Sequence, residues 1–343
     1  MFKRILVPLD GSARAERAIP VAARLARAYG ASITLLRIAE TPVEYGPYLA
    51  PPSSYAKEVI DADIARLKEY LEKVAQAEAL AGINVEIKAL FGAVAPTILA
   101  AAEVYHVSLI VMCSHGYTGF KRWMLGSVAD KITRHAPVPV LILREGALLP
   151  ARSSYQPVRA LAALDGSPLS EALFEPVAYL VAGLAHATSQ QGELRLLRVV
   201  DLPFSSGPLK SQAYIDSKTR DEAVQAAQDY LETLTARLEE GGLANLNIAV
   251  TASVVSDSDV AEAIIKQAES DEGEPVDLIA LATHGRGGMQ HFVMGSVTER
   301  VLHHSKLPLL IVRPAKEQQG RQEKQGTESK ATGVDMQSWV GLL

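Results

Sequence analysis

Apolar residues in this chain fall into short unbroken runs, separated by longer stretches in which they recur every three or four positions. These are the two periods of strand and helix. Residues 5–9 form the first run, which ends at Asp10-Gly11-Ser12 and predicts a buried strand followed by a helix capped by Ser12. That helix carries Ala15, Ala18, Ala22, Leu25, Ala26 and Tyr29 at helical spacing, with Arg14, Arg17, Arg24 and Arg27 outside. Pro20 is expected to kink it. Strand two is predicted at residues 33–38, a Pro- and Tyr-rich loop at 41–55, a long charged helix at 57–81 and strand three at 85–90. A helix at 96–104, strand four at 109–113, a glycine-containing loop, a helix from Ser127 and strand five at 138–143 complete the series. Strands that alternate with helices and are apolar on both faces predict a parallel sheet covered on two sides.

The series occurs twice. RILVPLDGS from Arg4 returns as RALAALDGS from Arg159, and ITLLRIAE from Ile33 as LRLLRVVD from Leu194. Tyr70-Leu71-Glu72 returns as Tyr230-Leu231-Glu232, and SHGYTGFKRWMLGSV from Ser114 as THGRGGMQHFVMGSV from Thr283. The spacing between matched residues steps from element to element but is constant inside the last motif. Two copies of one fold with insertions confined to loops have this signature. Pro176 should kink the second copy's helix as Pro20 does the first, and Pro168 after Ser167 suits a first helical position. The predicted fold class is α/β: two tandem doubly wound, five-stranded parallel-sheet (Rossmann-like) domains, whose packing as a pseudo-dimer is an expectation from the family resemblance given below. The domains are placed at 1–146 and 158–314, joined by a linker at 147–157. Residues 315–343 are expected to be disordered, since 316–337 is rich in Gln, Lys, Glu, Gly and Thr. The terminal SWVGLL is read as a frayed end in preference to a docking peptide.

Composition narrows the function classes. A chain of 343 residues with 48% apolar content suits two globular domains. The net charge of −5 comes without a polybasic cluster, so no nucleic-acid partner is expected. No apolar run approaches the roughly 20 residues that span a bilayer. The start, MFKRILVPLDGS, enters a strand with no cleavable signal pattern, so a cytoplasmic location and no membrane partner are expected. Cys113 is the sole cysteine, which excludes an intrachain disulfide and any CxxC metal site.

Ligands of open α/β sheets bind beyond the carboxyl ends of strands, near the point where strand order reverses. The repeated glycine motif follows strand four. Gly116 and Gly285 would let backbone approach a ligand. Gly126-Ser127 and Gly295-Ser296 begin a helix, whose free N–H groups and positive dipole end attract an anion. Asp10 and Asp165, after strand one, suit ribose hydroxyls or an adenine amino group. Taken together these residues suggest a nucleotide pocket, although no Gly-Lys-Ser/Thr and no GxGxxG occurs. Taken singly they have plainer readings. Ser127-x-x-Asp130 and Ser296-x-x-Glu299 spell capping boxes, and Asp-Gly-Ser spells a turn. Recurrence of the whole set in both copies favours the pocket. His115 and His284 lack a second ligand at metal-binding spacing, so no metal site is expected. Lys121, Arg122 and Arg286 could screen phosphate charge but read more plainly as solvated loop cations, and no nucleophile–base pair can be argued.

The Asp-Gly-Ser after strand one, [Ser/Thr]-His-Gly-x9-Gly-Ser-Val after strand four and the Pro-led strand five resemble the universal stress protein family, and the two copies resemble its tandem members. The family's ATP-binding members show G-x2-G-x9-G-[S/T]. The resemblance implies a first ATP site of Pro8, Leu9, Asp10, Ile38, Met112, Cys113, Gly116, Gly126, Ser127 and Val128. It implies a second of Ala163, Leu164, Asp165, Val199, Leu281, Ala282, Gly285, Gly295, Ser296 and Val297. Cys113 and Ala282 stand where the family's first glycine falls, and Ala163 replaces the proline that the first copy keeps as Pro8. Pairing through the last strands, 139–143 and 308–312, is also implied, as is a homo-oligomer of pseudo-dimeric chains. The function expected is a non-catalytic, ATP-binding regulatory module of the stress response, with Mg²⁺ on the phosphates. A slow Mg²⁺-dependent ATP hydrolase or phosphotransferase and a ligand-free scaffold stay open beside it.

Overall fold

A computed structural model describes residues 2–40, 53–114, 125–144, 149, 157–186, 191–201, 217–241, 243, 245–269, 275–284 and 294–314. The first half runs β1 (Arg4–Pro8), α1 (Ala13–Glu16), α2 (Ala18–Tyr29), β2 (Ser32–Ala39), α3 (Ser53–Ala75), β3 (Val85–Phe91), α4 (Val94–Val104), β4 (Leu109–Cys113), α5 (Ser127–His135) and β5 (Val140–Leu143). The second repeats it as β6 (Arg159–Leu164), α6 (Pro168–Glu171), α7 (Phe174–His186), β7 (Gly192–Asp201), α8 (Ser217–Glu240), β8 (Ile248–Asp257), α9 (Val260–Glu269), β9 (Leu278–Ala282), α10 (Ser296–His304) and β10 (Leu309–Val312).

Three expectations about the helices need correction. Pro20 and Pro176 break the first helix of each copy instead of bending it: α1 stops at Glu16 and α2 begins at Ala18, and α6 and α7 part in the same way. Each proline lies in the first turn of the second piece, where it has no N–H for the carbonyl four residues back and crowds it. The charged helix of the first half ends at Ala75, and a separate 3-10 turn, Glu78–Leu80, follows. The capping-box readings also fail, because Gly126 and Gly295 are the N-caps and neither makes a side-chain cap bond. Ser127 and Ser296 are therefore first helical residues, one place too far along to cap.

All ten strands form one sheet in the order β3-β2-β1-β4-β5-β10-β9-β6-β7-β8. Among the described residues every pairing is parallel except β5 with β10, which run antiparallel through Leu309↔Ile142, Leu310↔Leu141 and Ile311↔Val140. The last strands thus join the halves, and their apolar side chains are buried at the centre of the sheet. One face of the sheet packs on α1, α2, α3, α7 and α8, the other on α4, α5, α9 and α10, and both apolar layers run through the two halves. Outside the ladder, Tyr29 Oη donates to the Tyr179 carbonyl at 2.5 Å, with the two rings edge to face at 5.9 Å. Gly183 permits this approach, since a Cβ there would stand 2.7 Å from Tyr29 Cε2. Arg134 on α5 pairs with Asp130 at 3.0 Å and crosses to Glu299 on α10 at 2.6 Å. Buried Arg144 donates to the Leu302 carbonyl in the last turn of α10, and burial lowers its pKa to about 10.

Candidate functional site

In each half the strand order reverses beside the first strand. From β1 the chain leaves to α1 on one face, and from its neighbour β4 it leaves to α5 on the other. A crevice therefore opens at the carboxyl ends of β1 and β4, and another at those of β6 and β9. Because β5 and β10 are antiparallel, the two crevices lie at opposite ends of the strands.

One wall of each crevice is the Asp-Gly-Ser turn. Asp10 Oδ1 accepts from Ser12 N–H at 2.9 Å and Ser12 Oγ at 2.6 Å, and Ser12 Oγ in turn accepts from Ala15 N–H at 3.2 Å, capping α1. The second copy reproduces this with Asp165 Oδ1 at 2.9 and 2.7 Å from Ser167 and with Ser170 N–H on Ser167 Oγ at 3.2 Å. The turn requires glycine at its centre, since Gly11 and Gly166 have φ of +88° and +79°. Asp10 is exposed and Asp165 half-buried, so the carboxylates head the strands without being sealed in the core.

The other wall is the end of β4 and the start of α5. The glycine loop is closed at its base by Gly126 N–H on the Ser114 carbonyl at 2.9 Å, and the first intrahelical bond is Asp130 N–H on the Gly126 carbonyl at 2.9 Å. Ser127, Val128 and Ala129 thus present N–H groups that have no acceptor within the helix. Gly295 N–H returns to the Thr283 carbonyl at 2.8 Å and Glu299 N–H to Gly295 at 2.9 Å, which leaves Ser296, Val297 and Thr298 in the same position. The second copy adds one tie: buried Thr298 Oγ1 donates to the Ala282 carbonyl at 2.8 Å. Thr283 Oγ1 lies 3.1 Å from His284 Nδ1.

The residues implied by resemblance divide between the two faces. Ile38, Met112 and Val128 belong to one apolar layer, on the side that strand alternation gives Pro8. Ala163, Val199, Leu281 and Val297 are their counterparts. Leu9, Leu164 and Cys113 turn into the opposite layer. The Cys113 thiol donates to the Arg14 carbonyl at 2.9 Å, and burial pushes its pKa up to about 11. The side chain that replaces a family glycine therefore points away from Met112 and Val128. Gly116, Gly285, His115, Lys121, Arg122 and Arg286 lie outside the described residues, as do the 41–52 part of the Pro/Tyr loop, residues 315–343 and most of the linker. Among the described residues no cluster of His, Cys, Asp or Glu could hold a metal ion, and no helix is long and apolar enough to cross a membrane.

The model of the Universal stress protein family matches residues 1–144 and again 158–313. The chain belongs to this family. A universal stress protein of Mycolicibacterium smegmatis is 28% identical over 90% of this chain and 97% of its own length. Universal stress protein YxiE of Bacillus subtilis is 32% identical, and its whole length covers 42% of the chain. Its length is thus that of one copy, whereas the M. smegmatis protein spans both. The crystal structure of a universal stress protein from Archaeoglobus fulgidus shares the fold, with a TM-score of 0.62, 22% identity and coverage of 90% of this chain and 98% of that one.

Sequence reasoning missed a second tier beneath each turn: Arg37, Tyr70 and Glu16, repeated as Arg198, Tyr230 and Glu171. Two of the three lie inside the repeats quoted above, Arg37 in ITLLRIAE and Tyr70 in Tyr-Leu-Glu. Their survival in both copies was the available signal.

Proposed function

We propose that the chain is a tandem ATP-binding module of the stress response, cytoplasmic and without strong catalysis, made of two nucleotide-binding units at residues 1–146 and 158–314 with a linker at 147–157. The observation that carries the reading is the doubled pairing, at each switch point, of a carboxylate turn with a glycine-capped helix start whose N–H groups lack intrahelical acceptors. The nucleoside lies toward Asp10 or Asp165 and against the apolar layer of Ile38 and Met112, or of Val199 and Leu281. The phosphates, with any Mg²⁺ they carry, lie at Gly126-Ser127 or Gly295-Ser296, where the helix dipole favours negative charge. Two nucleotides per chain follow, the first held more tightly because Pro8 fixes a strand end that Ala163 leaves less constrained.

Calorimetric titration with ATP and Mg²⁺ tests this. The expected stoichiometry is two, falling to about one in Gly126→Asp and in Gly295→Asp, because each adds a carboxylate where phosphate should sit. A stoichiometry unchanged by Gly295→Asp would reduce the second motif to a closed turn. No heat of binding and no rise in melting temperature would leave the ligand-free scaffold. At about a hundred times Kd the stabilisation expected is roughly 2.7 kcal/mol. Steady release of phosphate from labelled ATP would move the assignment to a slow hydrolase.

A further inference from the structure

Beneath the Asp-Gly-Ser turn a chain of contacts closes on itself. Asp10 Oδ1 holds Ser12, Ser12 caps α1, and Glu16 at the end of α1 accepts from Tyr70 Oη on α3 at 2.7 Å. The Tyr70 ring carries the Arg37 guanidinium on its face, 4.3 Å from the centroid. Arg37 Nη2 donates to the Asp10 carbonyl at 3.3 Å, which returns the chain to its first residue. The guanidinium lies so close under Gly11 that a Cβ there would stand 2.5 Å from Nη2.

The second half repeats the serine cap, the tyrosine–glutamate bond and the guanidinium over the ring, and its Glu171 also takes Arg237 Nη2 at 2.6 Å. Ser167 caps α6, Glu171 ends it and accepts from Tyr230 Oη at 3.2 Å, and Arg198 lies 5.3 Å over the Tyr230 ring. A Cβ on Gly166 would fall 1.7 Å from Arg198 Nη1. Ser, Glu, Arg and Tyr are kept at all four positions in both copies, while neighbours differ: Pro8 against Ala163, Cys113 against Ala282, Lys73 against Thr233. A strand-to-helix turn by itself requires only the serine cap and the glycine. A cation held over the face of an anchored tyrosine adds rigidity at one place, the peptide that carries the aspartate. Lysine lacks the flat, forked shape of the guanidinium. Arg37 alternates with Ile38 along β2 and lies on the side of Ile33 and Leu35, away from the layer of Ile38, Met112 and Val128. It therefore acts through the turn.

We infer that Arg37 and Arg198 are positioning residues for the nucleoside half of each site, each wedged under a glycine so that the Asp10 or Asp165 carboxylate is held in the orientation that meets the ligand. This rests on the nucleotide-binding reading above. The phosphate half, at the start of α5 or α10, does not depend on it.

The experiment titrates the full chain with ATP and with tripolyphosphate, which keeps the phosphates but has no nucleoside, changing both copies together. Arg37→Met with Arg198→Met is expected to weaken ATP roughly tenfold, as for loss of one charge-assisted hydrogen bond, and to leave tripolyphosphate unchanged. In an Asp10→Asn, Asp165→Asn background the same change should weaken ATP no further, because the group being positioned is already gone. Lysine at both positions should restore only part of the affinity. Tyr70→Phe with Tyr230→Phe removes only the anchor to glutamate and keeps the ring. That milder pair should give a smaller loss confined to ATP, and it serves if the methionine variant does not fold. Equal weakening of both ligands, or losses that add in the Asn background, would overturn the inference and leave Arg37 a purely structural residue. Binding of neither ligand by the unaltered protein would instead overturn the nucleotide reading, and this inference with it.

Discussion

Gly11 and Gly166 meet two constraints at once, a left-handed backbone and a guanidinium underneath. A side chain in that backbone region costs about 1–3 kcal/mol by itself, and Arg37 or Arg198 would have to leave its tyrosine to admit a Cβ. Gly11→Ala is therefore expected to lower unfolding free energy by about 2 kcal/mol in a denaturant titration, and Gly166→Ala by more, because the overlap with Arg198 is deeper. A loss below about 0.5 kcal/mol, within the range of ordinary surface changes, would mean that the guanidinium swings aside freely and that the clamp is loose. Cys113 poses a different question, because by resemblance it stands at the first glycine of the motif of the family's ATP-binding members. Its thiol is turned toward the Arg14 carbonyl, and burial holds its pKa at about 11. Only about a thousandth of it is thiolate at pH 8, and the thiolate is the reactive form. A thiol reagent at pH 8 should label the native chain far more slowly than the denatured chain, with the native rate climbing as pH rises toward 11. Native labelling as fast as that of free cysteine would place the sulfur in the crevice, where it would crowd the proposed first nucleotide site.

At the scale of elements, the two serines after the two glycines separate what was legible from what was not. Ser12 was readable as a cap and is one, with Ala15 N–H on its Oγ. Ser127 read equally well as a cap and is not, because Gly126 N–H is drawn back to the Ser114 carbonyl and Gly126 takes the cap position itself. That bond closes a loop between strand and helix, and no local pattern announces it. Ser12→Ala should then cost about 1 kcal/mol of stability. Ser127→Ala, measured by the same denaturation without nucleotide, should cost close to nothing. Equal losses would restore the capping-box reading. Strand four was legible to the residue, since Leu109–Cys113 is an unbroken apolar run between polar neighbours. Pro20 marked an irregularity correctly but its kind wrongly, because a proline in the first turn of α2 coincides with the end of the capped α1 and parts the two. The clamp of Glu16, Arg37 and Tyr70 was not legible as a unit. Its members sit on three separate elements, and their proximity follows from β1 lying beside β2 with α1 and α3 on the same face.

The molecule as a whole depends on the β5–β10 ladder, which converts two sheets into one and hides Val140, Leu141 and Ile142 that an isolated half would expose. An uncovered apolar strand of this kind invites pairing with another edge. The first half alone is therefore expected to dimerise through β5, antiparallel to its own copy, because Val-Leu-Ile-Leu and the Leu-Leu-Ile-Val of β10 present nearly the same surface. Other contacts of the joined halves transfer unequally. Arg134 would find the second copy's Asp130 where it now finds Glu299, since the two acids occupy matched places in α5 and α10. The Tyr29–Tyr179 contact has no substitute. With Pro20 aligned on Pro176, the counterpart of Tyr179 is Ala23 and that of Gly183 is Arg27, so the edge-to-face ring pair is lost and a side chain stands where Tyr29 now approaches a glycine. The homodimer should thus be weaker than the covalent pair and should dissociate on dilution, where light scattering can follow its mass. Leu141→Asp places a charge opposite an apolar strand that cannot solvate it, and should give monomers at every concentration. A first half that stays monomeric when concentrated, yet melts cooperatively and exposes no apolar surface to a dye, would show that each copy completes its own core. The antiparallel seam would then be a consequence of the linker and not of the strands.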